Sequence, residues 1–302
     1  ALLAGGRMVL VLDLGRPERL VVAATHYNFR SIFAWNMILY NGFLAILVAY
    51  LWTNLERRFA PLSTPVGVLA FVWRIVLTTG TGSIFGFLVA RQGYASGLVA
   101  PLFIAMSLAW GLAVFLLVQG ALARWHDAPV PEAFRLRLRR LLGVFVATVA
   151  YLTAVLHLTN LYWAKQAAFE RFILVDGAPY AWLFWAGWAG VGTAVPLVIA
   201  FHPRLAGPRA TTIAALAVIA GAFAQLYVFI VGAQAFPLEI FPGYATASAF
   251  RDGAVAPYVP SLPEALLGLG GIALAYLIVL AGARFFDVVP RGIDAPAADG
   301  GG

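Results

Sequence analysis

Long apolar runs are the feature that most restricts how this sequence can fold. Segments of 18 or more nearly uncharged residues recur along the 302-residue chain. Each is long enough to cross a hydrocarbon layer of roughly 30 Å as an α-helix. Hydrophobic residues make up 62% of the chain and charged residues 11%, whereas a soluble domain is closer to half apolar and a quarter charged. The sequence therefore predicts an all-α fold, a polytopic transmembrane helical bundle.

Seven complete spans are predicted, together with a partial one at the N-terminus. Residues 1–12 are apolar apart from Arg7 but too few to cross a bilayer. We interpret them as the end of a helix whose beginning is missing, with an interfacial segment as the alternative. We expect a single membrane domain over 1–288, N-terminally incomplete, and a disordered cytoplasmic tail over 289–302. The predicted spans are 33–54, 65–88, 97–122, 139–162, 179–200, 209–232 and 263–286.

The loop charges predict an orientation. The side that holds residues 13–31, here called side A, has seven Lys and Arg residues in its loops, and the opposite side B has eleven in shorter loops. The run FRLRLRR at 134–140 contributes most of this difference. By the positive-inside rule side B is cytoplasmic, and so is the C-terminus. We expect a multi-pass protein of the bacterial inner membrane, whose net charge of +7 reflects topology and not nucleic-acid binding.

Residue types that bind common redox cofactors are scarce. Cysteine is absent, which excludes thiolate-held iron–sulfur clusters and covalent c-type haem in this chain. Of four histidines, only His157 lies well within an apolar run, whereas a bis-histidine haem needs two. P-loop and H-E-x-x-H patterns are absent as well. No intrinsic haem or iron–sulfur cluster is therefore expected.

Polar residues inside the predicted spans concentrate in the half of the membrane near side A. Asn36 and Tyr40 are four residues apart on the first span, and His157 and Asn160 are three apart at the end of the fourth. Each pair shares a helix face. Polar side chains within a bilayer are costly, so their segregation needs a reason. The pattern predicts a polar pocket that opens near side A.

Arg74 is the residue of this set that costs most to place in a membrane, because it is charged and lies near the middle of the second span. Thr78 lies one turn beyond it. A guanidinium there must face protein or water and find a partner. One interpretation is an ion pair with Glu239, Glu264 or Asp13, and the other is the polar end of a pocket or proton path. Structural interpretations also remain for the other residues, since Asn and Thr often connect helices and Glu264 is placed to stabilise a helix start.

A pocket with apolar walls and a few polar groups suits an amphipathic small molecule. A lipid-soluble quinone fits this description, because its carbonyls need hydrogen-bond donors and its tail needs hydrocarbon. Quinone redox chemistry also moves protons, for which His157, Glu239 and Glu264 are titratable candidates. Tyr27 and Tyr40 are further possible donors.

Several motifs together resemble the NrfD/PsrC family, the membrane subunits of polysulfide reductase and related enzymes. Within that family the closest likeness is to the DsrP branch, from DsrMKJOP complexes associated with dissimilatory sulfite reductase. The resemblance covers nearly the whole chain in order, although family members begin with additional helices. The motifs are DLGRPER (13–19), HYNFRSIFAWN (26–36), LTTGTGSIFGFLVARQGY (77–94), HLTNLYWA (157–164), FPLEIFPG (236–243) and PSLPEALLGLGG (260–271).

The resemblance implies a cofactor-free subunit of an oxidoreductase complex that exchanges electrons between membrane quinones and an iron–sulfur partner. In the DsrP branch that partner is a periplasmic ferredoxin-like subunit, next to a multihaem cytochrome c and other membrane subunits. The implied substrate is menaquinone or ubiquinone. A secondary transporter and a purely structural membrane anchor are the alternative functions.

These inferences assign three groups of candidate residues. The first contacts the quinone ring, the second handles protons, and the third organises the side A surface for partner docking. The ring-contact group is His157, Asn160, Asn36, Tyr40 and Thr78; the proton group is Arg74, Glu239 and Glu264; the docking group is Asp13, Arg16 and Arg19.

Overall fold

The computed structural model describes residues 1–125, 127, 130–205, 207–238, 253–256 and 258–285. Glu239 and the predicted tail over 289–302 lie outside the described residues. The described part of the chain contains helices and no strand. Seven of its helices are long and apolar enough to cross a membrane. The prediction of an all-α transmembrane bundle is therefore confirmed.

The helices are numbered here in chain order, and the seven spans are α3 to α6 and α8 to α10. A single 3-10 turn precedes α2 and a second 3-10 segment precedes α4. The bounds are Leu2–Asp13 (α1), Leu20–Thr25 (α2), Ile32–Leu55 (α3), Ser63–Gly86 (α4), Val99–Trp125 (α5), Glu132–Tyr162 (α6), Ala164–Arg171 (α7), Tyr180–Phe201 (α8), Pro208–Ala235 (α9) and Leu262–Phe285 (α10).

The start of α6 differs from the prediction. The apolar run predicts a fourth span from about residue 139, with most of FRLRLRR before it on side B, but the helix begins at Glu132. Leu and Arg are both good helix formers, and Glu132 lies in the first turn, where a carboxylate favours the helix dipole. The basic run is therefore the first part of α6 and not a loop.

The described helices form two compact units. In the first unit α1 packs against α10. A Cβ atom added to Gly5 would lie 2.3 Å from the carbonyl oxygen of Gly271, so the two backbones are in direct contact. Small residues at such a crossing allow close van der Waals packing, which is a main attraction between helices in lipid.

The second unit contains α3, α4 and α6 to α9 and most of α5. Its main core is formed by α5, α6, α8 and α9, through residues such as Met106, Leu142, Ile199 and Val218. The α3–α4 hairpin is held in part by Trp73, whose indole Nε1 donates to the carbonyl of Leu39 at 2.9 Å.

A glycine pair sets the distance between α8 and α9. Residues Leu183–Ala194 of α8 form π-helical turns, and Gly192 in this segment faces Gly221 of α9. A Cβ atom on Gly221 would lie 2.2 Å from the Cα atom of Gly192. Any larger residue at either position would therefore separate the two helices, which contribute to the core beside the candidate site.

Candidate functional site

A buried carboxylate organises the end of α6. Glu170 of α7 is fully buried, and its Oε2 atom lies 2.6 Å from Nδ1 of His157. Its other oxygen, Oε1, accepts a hydrogen bond of 2.7 Å from Nδ2 of Asn160. His157 and Asn160 share a face of α6, as their spacing predicts. The structure thus connects two of the predicted site residues through a third that the sequence did not single out.

The break between α6 and α7 makes this arrangement possible. Trp163 has an extended conformation, with φ −87° and ψ 114°, and separates the two helices. After this break α7 packs against the end of α6. Phe169 and Ile173 are buried on either side of Glu170 in sequence. Their burial holds α7 in place and presents the carboxylate to His157 and Asn160.

The environment of Glu170 determines what it can do chemically. A buried carboxylate is costly unless hydrogen bonds satisfy both of its oxygens, and here each oxygen has one partner. The His157 side chain is 18% exposed, whereas that of Glu170 is 0% exposed. The ring of Phe184 packs edge-on against the imidazole at 4.9 Å between centroids. The imidazole of His157 therefore lies between the partly exposed surface and the buried carboxylate, held by Glu170 on one side and packed by Phe184.

Two amide oxygens near this carboxylate retain acceptor capacity. Oδ1 of Asn160 and Oε1 of Gln166 are buried and accept no hydrogen bond from the described residues. Gln166 is four residues before Glu170 on α7, so the two share a face. Buried acceptors of this kind are normally satisfied by a hydroxyl or a water. They suit a ligand that carries hydroxyl groups.

A second buried polar contact joins α6 to α9. Thr153 lies one turn before His157 on α6, and its hydroxyl accepts a hydrogen bond of 3.1 Å from Nε2 of Gln225. Both residues are buried. Gln225 also borders a cavity of about 10 Å³, together with Trp110 and Thr193, which is room for about one water molecule. The described part of α6 thus has buried polar groups both at its end and one turn before His157.

The other predicted contact residues lie on the α3–α4 hairpin. Buried Asn36 accepts a hydrogen bond of 3.3 Å from the Thr81 hydroxyl. Thr78 is also buried, and its hydroxyl donates to the Arg74 carbonyl at 2.8 Å. Tyr40 is half-buried on α3. Among the described residues, no hydrogen bond or ion pair joins this hairpin group to Glu170, and the hydrogen bond of Asn36 stays within the α3–α4 hairpin.

Arg74 is exposed on α4, and its guanidinium lies over the ring of Phe43 at 5.6 Å. Among the described residues of its unit, Arg74 therefore makes a cation–π contact and no ion pair. Of the predicted ion-pair partners, Glu239 lies outside the described residues, and Asp13 and Glu264 belong to the other unit.

Glu264 takes part in the start of α10. Its Oε2 atom accepts a hydrogen bond of 2.6 Å from the backbone N–H of Ser261, and its own N–H lies 3.5 Å from the Ser261 hydroxyl. This reciprocal arrangement is a capping box, in agreement with the structural interpretation of this residue. The docking candidates Asp13, Arg16 and Arg19 are all exposed at the end of α1 and in the 3-10 turn that follows.

Glu170 was missed because its segment, AKQAAFER, resembles a polar connection between spans. A signal was nevertheless present in the sequence. Glu170 stands next to Phe169 and shortly before Phe172 and Ile173, and a carboxylate among apolar residues is a candidate for burial with a partner.

Comparisons with known proteins agree with the helical membrane architecture. A family model described as "Polysulphide reductase, NrfD" matches residues 1–238. An Archaeoglobus fulgidus protein, "Hdr-like menaquinol oxidoreductase integral membrane subunit", is 28% identical over 286 residues, covering 93% of this chain and 72% of the relative. A putative membrane subunit of dimethyl sulfoxide reductase from Halobacterium salinarum is 30% identical over 328 residues, covering 98% and 74%. A selenate reductase subunit from Mesobacillus selenatarsenatis is 23% identical over 323 residues, covering 91% and 72%.

Proposed function

Because the chain belongs to the polysulphide reductase NrfD family, we propose that it is the quinone-reactive membrane subunit of an oxidoreductase complex. The relatives support this proposal, since their names describe subunits of a menaquinol oxidoreductase and of two reductases. The proposed substrate is menaquinone or ubiquinone. The proposed electron partner is a periplasmic iron–sulfur subunit, accompanied by a multihaem cytochrome c as in the DsrP branch. The proposed location is a bacterial inner membrane, with the C-terminus cytoplasmic.

The observation that carries the proposal is the contact of His157 with buried Glu170 at 2.6 Å. Oxidation of a quinol releases two electrons and two protons. We infer that one quinol hydroxyl gives its proton to Nε2 of His157 while the Nδ1 proton moves to Glu170, and that the other hydroxyl gives its proton to water. The two electrons pass one at a time to the iron–sulfur clusters of the partner. The same groups return the proton to the ring when electron flow is reversed.

The hydrogen bond from Asn160 has a positioning role in this scheme. It holds Oε1 of Glu170, so that Oε2 faces the imidazole. The acceptor oxygens of Asn160 and Gln166 then orient the hydroxyl groups of a quinol. The exposed charges of Asp13, Arg16 and Arg19 are the proposed docking surface for the partner subunit.

Purified complex provides the test of this function. Quinol should reduce the clusters of the iron–sulfur partner, and a quinone-site inhibitor should block that reduction. The proposal fails if quinol reduces no cluster and the inhibitor has no effect. Solute uptake by this chain alone in liposomes would favour the transporter alternative. Full quinol activity of an intact complex after joint replacement of His157, Arg74 and Glu264 would favour the anchor.

Asn160→Leu is expected to destabilise the chain by about 1–3 kcal/mol, because it leaves one oxygen of a buried carboxylate without its donor. The measurement is the free energy of unfolding in detergent. Asn54→Leu is the matched control, since Asn54 is exposed and donates to the Tyr50 carbonyl of its own helix. Equal stability of the two variants would contradict the dependence of Glu170 on Asn160.

A further inference from the structure

The connection between α4 and α5, residues 87–98, is attached to the end of α9. Nη1 of Arg91 donates to the carbonyl of Gln234 at 2.9 Å. Gln234 lies in the last turn of α9, where carbonyls lack a helical donor and attract a cation. The hydroxyl of buried Tyr94 donates to the carbonyl of Ile230 at 2.8 Å. These two hydrogen bonds fix the middle of the connection on α9.

Gly93, in the middle of this connection, lies directly against α7. A Cβ atom at this position would lie 2.5 Å from Cζ of Phe169 and 2.7 Å from Cβ of Ala233, closer than side chains approach in proteins. Phe169 is buried, and its ring packs edge-on against Phe236 with 5.5 Å between centroids. Because the connection is fixed on α9, a side chain at residue 93 would have to push the Phe169 ring away, and α7 with it.

Phe169 directly precedes Glu170, the proton acceptor of the proposed function. The helix α7 has eight residues, so a push on one of its buried side chains moves the whole short helix. His157 and Asn160 lie on α6 and would not move with it. The distance of 2.6 Å between Oε2 of Glu170 and Nδ1 of His157 would therefore change. A misplacement of about 1 Å in a reacting group can cost about 10²-fold in rate.

We propose that Gly93 is a positioning residue for Glu170. Its lack of a side chain lets the ring of Phe169 lie against the connection, and this contact sets the position of the Glu170 carboxylate relative to the imidazole. The inference rests on the proposed function, in which Glu170 accepts the proton that leaves His157. It adds a dependence of that step on the connection between two other spans. The alternative is a packing role, in which a larger residue weakens the fold and leaves proton transfer unchanged.

Quinol oxidation, measured per assembled complex, tests the proposal. Gly93→Ala should lower kcat about 10- to 100-fold, because the carboxylate is displaced from the imidazole. In a Glu170→Gln complex the same substitution should change the remaining rate by no more than about twofold, because the displaced group no longer accepts a proton. An equal fall in both backgrounds would overturn the proposal, since a packing defect lowers the rate whichever residue stands at position 170.

Gly97→Ala is the matched control for Gly93→Ala. Gly97 lies in the same connection and is exposed, and a Cβ atom there meets no atom within 4 Å. This variant should oxidise quinol at the unmodified rate. A loss equal to that of Gly93→Ala would overturn the proposal, because the rate would then depend on the backbone freedom of the connection and not on the contact with Phe169.

If Gly93→Ala does not assemble, Phe169→Leu takes its place. Leucine keeps the residue apolar but removes the ring that lies against Gly93, so α7 loses the same support. The rate should again fall with glutamate at residue 170 and stay nearly constant with glutamine there. A slow Glu170→Gln complex together with a full rate in Gly93→Ala would refute this inference alone. A full rate in Glu170→Gln would instead refute the role of Glu170 in the proposed function.

Discussion

Glu170→Gln is expected to lower quinol oxidation by the assembled complex about 10²- to 10⁴-fold, the range that general acid–base catalysis contributes. Glutamine has nearly the same shape and still reaches His157 and Asn160, so the packing around α7 should persist. It cannot take up a proton, however, and the imidazole would lose the acceptor beyond it. The measurement is the rate of quinol-dependent cluster reduction per assembled complex.

Asp176→Asn is the control for this substitution. Asp176 is exposed five residues after the end of α7 and pairs with Arg171 at 2.7 Å, so its loss removes a carboxylate from the surface only. Its rate should stay within about twofold of the unmodified complex, since exposed ion pairs contribute little. A Glu170→Gln complex as fast as this control would show that quinol protons leave by another route.

Gly221→Leu is expected to have the largest effect on folding. The new side chain would begin 2.2 Å from the Cα atom of Gly192, and a contact between backbones cannot be relieved by a change of rotamer. Overpacking of a core costs about 1–3 kcal/mol, and separation of α8 from α9 would also disturb the cavity beside Gln225. We expect a loss of about 3 kcal/mol or more, measured as unfolding free energy or as the yield of monodisperse protein.

Gly111→Leu tests whether this effect depends on the helix crossing. Gly111 is exposed on α5, and a Cβ atom there meets no atom within 4 Å. Leucine is also favourable in both helices and lipid. This variant should therefore be as stable as the unmodified chain. Similar yields of the two variants would mean that the α8–α9 contact is not close in the membrane.

The membrane spans could be predicted from the sequence because hydrocarbon thickness and helix rise fix their length. The helix α6 begins at Glu132, several residues before the predicted span of 139–162, because the basic run that precedes the span is also helical. Leucine and arginine favour helix, and the long side chain of Arg139 turns inward toward Leu205. Positive charge near a span end therefore does not exclude helix, and the orientation that it predicts stays a prediction.

The candidate site was only partly predictable for a similar reason. The spacing of His157 and Asn160 placed them on one face, which depends on helix geometry alone. Their partner Glu170 comes from a separate short helix, and the break at Trp163 that brings it back has no proline or glycine to mark it. Contacts across such a break depend on tertiary packing. Glu264 shows the converse, since its position at a helix start, one of the two interpretations from the sequence, depends on local structure alone and is observed.

Photolabelling with an azido-quinone is the most direct test of the central claim, that a quinone binds at His157 and Glu170. The purified complex would be labelled with and without excess unlabelled menaquinone, and the labelled peptides identified by mass spectrometry. We predict label on the end of α6 and on α7, between residues 153 and 172, and its loss on competition. Competed label confined to other helices, with none on this segment, would contradict the assignment.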